Sequence, residues 1–210
     1  MDTGIIDIGR NPASGGVVVL VKNKSHPEPH LGRADWVEAA WALLGKGSLD
    51  QVRVDTLAKS LEVTRGSFYW HFKDRGDLIE AILERWYAAL GFAQSIEPLL
   101  HDVSGPAARL WTVHEQVIRR IDNGQFAALR LWAKSNPPAQ KRLDTEDKVR
   151  LDHFAREFRQ LGFPAAEAGA RAGIYHALVV SEYLRCGTLP LAERLRRARI
   201  LHGCLIARPD

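Results

Sequence analysis

The 210 residues are enough for one or two domains with a substantial core, and 46% hydrophobic with 26% charged residues is the composition of an ordinary globular chain. A formal charge of +4 permits an anionic partner without identifying one, and the two cysteines, Cys186 and Cys204, exclude a disulfide-built scaffold and a cysteine-rich zinc site. The VVVLV run at 17–21 follows Asp2 and Asp7, so it is too short and too acidic in its lead for a signal peptide, and no run approaches the ~20 apolar residues of a membrane helix. No membrane association is expected, and the expected location is the reducing cytoplasm.

In residues 1–31 the segments NPASGG and HPEPH interrupt any helix before it could nucleate, and a flexible tail is expected. From Trp36 the pattern changes. Val37, Ala40, Trp41 and Leu44 fall at i, i+3, i+4 and i+7, which paints an apolar stripe on a helix ending near GKG. Val54, Leu57, Ala58 and Leu61 repeat the spacing. Three residues, EVT, separate that helix from one over 65–72, where Phe68 and Phe72 share a face one turn apart. Asp74 is a plausible N-cap for a long helix carrying Leu78, Ile79, Ile82, Leu83, Trp86 and Leu90, with Asp77 as a weak capping-box partner. Helical periods then cover roughly 105–122, 125–135, 139–161, 165–186 and 190–207, divided by DNG, NPP, GFP and CGTLP. The expected fold is all-α, with about nine helices and no convincing strand after residue 31.

Two short helices around a three-residue turn, with an apolar clamp inside, are the build of a DNA-binding helix-turn-helix. The residues strengthen that reading. Thr64 is positioned to cap the second helix, whose N-terminus offers free N–H groups to a phosphate. Arg65 stands in its first turn, where a guanidinium reaches guanine O6 and N7, and Gly66 lets the backbone approach a base closely. Phe68 and Phe72 are expected to point into the core.

The stretch TLAKSLEVTRGSFYWHFKDRGDLIEAILERW resembles the tetracycline-repressor-like (TetR) transcriptional regulators. Thr64, Arg65, Gly66, Ser67, Phe68, Tyr69, Trp70, His71 and Phe72 match that family's second motif helix position by position, and Lys73, Asp74, Arg75 and Leu78 match its entry into the next helix. The resemblance implies that Arg65, Gly66 and Trp70 face base edges, while Thr64, Ser67, Tyr69, His71 and Lys73 approach the phosphate backbone. Arg75 joins Lys59, Arg65 and Lys73 in the local basic excess between positions 59 and 75. Two departures stand out. Glu62 occupies the turn where glycine is usual, so a left-handed backbone there would cost roughly 1 kcal/mol. Arg53 stands where a threonine or serine cap is usual, which exchanges a cap for a phosphate contact. Residues 33–90 hold eight Lys or Arg and nine Asp or Glu, a net −1, so affinity is expected to rest on a few placed contacts in two copies and to fall with salt.

The resemblance further implies a division into the tail at 1–31, a three-helix DNA-binding domain at 32–78 and a helical effector-binding and dimerisation domain at 79–210. In it the last two helices pair with those of a second subunit. The small residues early in 164–184 and the stripe Leu191, Leu195, Ala198, Leu201 and Leu205 suit that role, with Arg194, Arg196, Arg197 and Arg199 as a solvated rim. Trp111, His114, Phe126, Trp132, Phe154, Phe158, Tyr175 and His176 lie where the family places its effector pocket, although each also suits ordinary core packing.

Other chemistry finds little support. His26 and His30 have i, i+4 spacing, but prolines interrupt them and no further ligand is near. Cys186 ends one expected helix and Cys204 lies about fourteen residues into the next, roughly 20 Å away at ~1.5 Å rise per residue, too far for a disulfide. Lys22, Lys24 and Arg33 read as part of a leader rather than a minor-groove arm. Neither G-x-S-x-G nor G-x-x-x-x-G-K-[ST] occurs, so no catalytic residue, metal or cofactor is expected. The expected function is a repressor that binds a palindromic operator in double-stranded DNA as a homodimer and is released by a small molecule. The alternative is a helical binding protein or enzyme with a degenerate DNA-binding module.

Overall fold

The structure, a computed structural model, describes residues 31–47, 49–121, 124–185 and 188–208. Within them are nine α-helices and no strand: α1 Arg33–Leu44, α2 Val54–Ser60, α3 Arg65–Phe68, α4 Arg75–Leu90, α5 Pro106–Arg120, α6 Gln125–Ala133, α7 Pro137–Gln160, α8 Ala165–Arg185 and α9 Leu191–Ile206. The all-α expectation holds. The tail, His26, His30, Lys22, Lys24 and Cys186 lie outside the described residues.

The Asp74 carboxylate accepts the Asp77 N–H at 3.0 Å and caps α4, and Asn136 caps α7 through the Ala139 N–H at 3.1 Å. α7 starts two residues earlier than the periodicity implies. Pro137 and Pro138 form its first turn, where the missing N–H groups would have no intrahelical partner anyway. Asp77 does reach back across the start of α4, but to the N–H of Lys73, at 3.1 Å.

α1, α2 and α3 close over Trp36, Phe68 and Phe72, all buried, as expected for the two phenylalanines. The Trp36 and Phe68 rings meet edge to face at 5.3 Å, and Phe68 stacks on Phe72 at 5.2 Å. α3 is shorter than the period-based range of 65–72. After Phe68 the chain tightens, with Tyr69, Trp70 and His71 N–H groups each bonding the carbonyl three residues back.

The turn between α2 and α3 has a left-handed residue, as Glu62 has φ 57°. Its N–H bonds Lys59 O and the Val63 N–H bonds Ala58 O, which closes α2 in a Schellman motif. The same two bonds close α7, from Gly162 to Arg159 O and from Phe163 to Phe158 O, and there the left-handed residue is glycine. Glu62→Gly should therefore stabilise the chain by roughly 1 kcal/mol, read as a higher midpoint in urea at unchanged m-value.

α4 runs from this module into the helices that follow, so the expected boundary at residue 78 falls inside one continuous helix, and residues 31–210 make one compact unit. The far end of α4 is gripped by side chains from α5 and α7. Arg120 donates to Ala89 O at 2.9 Å, and the wholly buried Arg150 donates to Leu90 O at 2.5 Å. Glu146 accepts the Phe92 N–H at 3.0 Å, where the chain leaves α4 through a π turn at Phe92–Ile96. A second connection is aromatic: Trp41 of α1 meets Phe126 of α6 at 5.4 Å, and Phe126 stacks on Tyr183 of α8 at 5.6 Å.

Candidate nucleic-acid interface

α3 presents two faces, and the outward one carries an exposed aromatic. Trp70 is 88% exposed and Tyr69 is 53% exposed, one residue from a Phe68 that is wholly buried. A large apolar side chain held at that exposure has no packing role in this chain, and such a group is informative where it sits beside cations. Thr64, Arg65, Gly66 and Lys73 are exposed, while Ser67 and His71 are half-buried. The Thr64 side chain does not cap α3, which leaves its hydroxyl available. At Gly66 an added Cβ would meet only the Thr64 hydroxyl, at the ordinary distance of 3.6 Å, and the backbone φ is not left-handed. Nothing inside the fold demands a glycine there, so close approach by another molecule is the remaining physical reason for one.

Beside α3 lies an open cleft of about 530 Å³, lined by Asp50, Arg53, Val54, Asp55, Arg65, Tyr69, Asp74 and Arg75. Arg65 is held within it. Its Nη2 donates to the Tyr69 hydroxyl at 3.5 Å, and its Nη1 pairs with Asp55 at 3.5 Å. The hydrogen bond to Tyr69 and the charge of Asp55 raise the already high pKa of the guanidinium. Sequence pattern singled out Arg53, Arg65, Tyr69 and Arg75 but not Asp50 or Asp55, since the pairing crosses the turn from α2 to α3.

Arg75 is half-buried and its guanidinium is taken up by backbone, donating to Val52 O at 2.9 Å and Leu49 O at 2.7 Å. It fastens the start of α4 to the segment before α2. Arg53 is the extended N-cap residue of α2, makes no side-chain cap bond and is exposed. Arg33 is the first residue of α1. It pairs with Asp77 at 2.9 Å, donates to His71 O at 2.9 Å and lies over the Phe72 ring at 4.2 Å.

These pairings explain how a module of net −1 keeps a basic face. Asp77 is matched by Arg33, Glu38 by Arg85, and Glu80 and Glu84 by Arg142 of α7. Arg53, Lys59 and Lys73 form no ion pair among the described residues.

Residues 37–82 match the family model described as bacterial regulatory proteins, tetR family. This segment is of the tetR-family type. That match contains α2, α3 and the first half of α4, and with them most of the cleft. A stretch of 61 residues is 34% identical to the HTH-type transcriptional regulator AcrR of Shigella flexneri, covering 29% of this chain and 28% of that protein. The likeness thus spans little more than a quarter of the curated relative's length. The likeness in fold extends further: a transcriptional regulator from Rhodococcus sp. Rha1 superposes with a TM-score of 0.62 over 84% of this chain and 99% of that one, at 18% identity. At that identity the likeness concerns the fold.

The eight aromatic and histidine positions considered for an effector fall into separate places. His114, Phe154, Phe158 and Tyr175 pack together in the core with Trp111 and His202 at its edge. Phe126 lies in the Trp41 to Tyr183 aromatic path, Trp132 borders a smaller cleft with Leu49 and Ala128, and His176 contacts Asp147 at 3.2 Å. None of them lines an apolar cleft of about 260 Å³ between α6, α7 and α8, whose walls include Ala127, Leu131, Leu143, Val180 and Leu184, with Arg130, Lys134 and Gln140 at its polar side. Leu131 and Leu184 are 69% and 68% exposed at its mouth.

Proposed function

We propose that this chain is a sequence-specific DNA-binding transcriptional repressor that acts as a homodimer on a palindromic operator and is released by a small-molecule effector. The observation that carries the reading is the outward face of α3, where Arg65, Gly66, Tyr69 and Trp70 are exposed together on a helix anchored by Phe68 and Phe72. Arg65 and Trp70 are then the base-reading groups. Thr64, Ser67, Tyr69, His71, Lys73 and Arg53 supply phosphate contacts, and Arg75 acts through the backbone it fastens.

Dimerisation is supported by a surface on α8 and α9 that carries no charge over Gly169, Gly173, Ile174, Ala177 and Leu184, continued by Ile200 and Gly203. Small residues with open space above them permit close approach of a second pair of helices. Two recognition helices held about 34 Å apart would meet successive major grooves on one side of a duplex. No helix among the described residues is long and apolar enough to cross a membrane.

The deciding experiment is selection from a duplex library with a randomised centre. The reading requires enrichment of an inverted repeat. Enrichment of nothing would instead favour a helical binding protein with a degenerate module, for which the carboxylates of Asp50, Asp55 and Asp74 in the cleft speak.

The effector is assigned to the α6, α7, α8 cleft. Its volume suits a small ligand, and its apolar walls beside the exposed Lys134 suit a hydrophobic body bearing an anionic group, while Arg130 is already paired with Asp147. A panel of aromatic carboxylates at about 100 Kd should stabilise the protein by about 2.7 kcal/mol. Ala127→Trp, which fills the cleft from a half-buried position, should abolish that thermal shift while leaving the unliganded midpoint nearly unchanged.

A further inference from the structure

Asp55 has an ordinary reason to exist. It lies in the first turn of α2, where an acidic side chain favours the helix N-terminus, and the N-cap Arg53 supplies no cap of its own. That reason does not account for where its carboxylate lies, across the turn and 3.5 Å from the Arg65 guanidinium.

The geometry of Arg65 is that of a fork held at both tips. Nη1 faces Asp55 and Nη2 faces the Tyr69 hydroxyl, each at 3.5 Å, while the side chain remains 62% exposed. A guanidinium has five N–H donors, and these contacts engage two. Enough remain for a bidentate contact with a guanine edge, which requires two. An unrestrained arginine would lose much of its rotamer freedom on docking, and one already oriented loses less. The same carboxylate is 72% exposed and faces the open cleft, so it repels any phosphate that enters there. Both effects act in one direction: specific contacts gain and sequence-independent ones lose.

We propose that Asp55 is a positioning residue for base recognition, holding Arg65 in its reading orientation and penalising binding that does not engage a guanine. The inference rests on the assignment of α3 as the DNA-reading element. It gives a carboxylate in a DNA-facing cleft a role, and it makes discrimination a property of the pair Asp55 and Arg65 rather than of the arginine alone.

The test uses the full-length protein and the duplex that the wild type enriches from a randomised library, together with a shuffled duplex of the same composition. Asp55→Ala should lower the ratio of specific to shuffled binding by about 10-fold or more, with shuffled binding stronger than wild type at low salt. A repeated selection with Asp55→Ala should lose its preference at a single guanine in each half-site. In an Arg65→Ala background the Asp55→Ala change should leave base preference unaltered, because there is no fork left to hold. Asp55→Asn tests the charge and Asp55→Glu should restore part of the discrimination. Thermal melting separates out the capping role, since lost stability alone weakens both duplexes in parallel. If Asp55→Ala keeps the wild-type guanine preference while binding all duplexes more tightly, Asp55 is only a repulsive charge and the proposal is overturned. If the wild type itself enriches no sequence, the DNA-reading assignment falls first and this one with it.

Discussion

Arg65→Ala should abolish discrimination between the operator and unrelated DNA while leaving the folded protein intact. The side chain is exposed, its contacts are with the exposed Asp55 and the half-exposed Tyr69, and none belongs to the core. A bidentate contact to guanine is worth on the order of 10- to 100-fold in discrimination, and a dimer on an inverted repeat loses it in both half-sites. The expected loss on the operator is therefore about 10²- to 10⁴-fold, against a change on shuffled DNA no larger than removal of one phosphate-attracting charge per subunit. Arg65→Lys sharpens the point, because it keeps the charge and removes the planar fork. Lysine should retain shuffled binding and lose most of the operator preference. Titration of both duplexes by fluorescence anisotropy at two salt concentrations reads these quantities. Equal losses on both duplexes would mean that Arg65 is a phosphate contact.

The inward and outward faces of α3 were legible in the sequence because they depend on spacing alone. Phe68 and Phe72 are one turn apart and cannot both be buried unless Arg65, Tyr69 and Trp70 face elsewhere. The left-handed backbone at Glu62 was signalled only through the resemblance, which places glycine at that turn position, and the φ of 57° and the Schellman closure show it. The length of α3 was not legible. An i, i+4 phenylalanine pair is buried equally well by two α-turns or by one turn followed by tighter i to i+3 bonds, and the choice was made by the entry into the capped α4.

Tertiary geometry decided what remained. Arg33 belongs to α1 rather than to a free arm because Asp77, 44 residues away, offers it a carboxylate and Phe72 a ring face. Large aromatics at helical spacing fill space, and His114, Phe154 and Phe158 each pack against Tyr175. The apolar cleft arises where α6, α7 and α8 diverge around smaller side chains such as Ala127 and Val180, and no local pattern marks that divergence. A net charge of −1 for residues 33–90 likewise hid a partition, with Glu80 and Glu84 answered by Arg142 of a distant helix.

Acid should unfold this chain through its buried imidazoles. His114, His153 and His202 are all nearly inaccessible, and burial pulls each from the ordinary 6.5 down to about 4. Neighbouring cations add to this, Arg194 near His114 and Arg199 near His202, while Glu157 beside His153 opposes it. The Tyr175 hydroxyl, whose pKa burial drives upward, shares a hydrogen bond of 2.8 Å with His202 Nδ1. A folded pKa below the unfolded value means that the unfolded chain binds more protons between about pH 4 and 6.5. The stabilisation is complete above 6.5 and is lost as pH falls through that window. Each group contributes a slope approaching 1.4 kcal/mol per pH unit, so three together approach about 4 kcal/mol per unit, against a typical total stability of about 5–15 kcal/mol. The melting temperature should therefore fall steeply from pH 7 to pH 5, with uptake of two to three protons on unfolding near pH 5, on the order of the histidine count. His114 isolates the cause, since neither of its ring nitrogens has a hydrogen-bond partner. His114→Phe replaces an unpartnered buried polar ring by an apolar one of similar size, which should hold or raise stability at pH 7 and remove about one proton from the acid slope. A slope unchanged in His114→Phe would place the acid sensitivity at the other two buried imidazoles, His153 and His202.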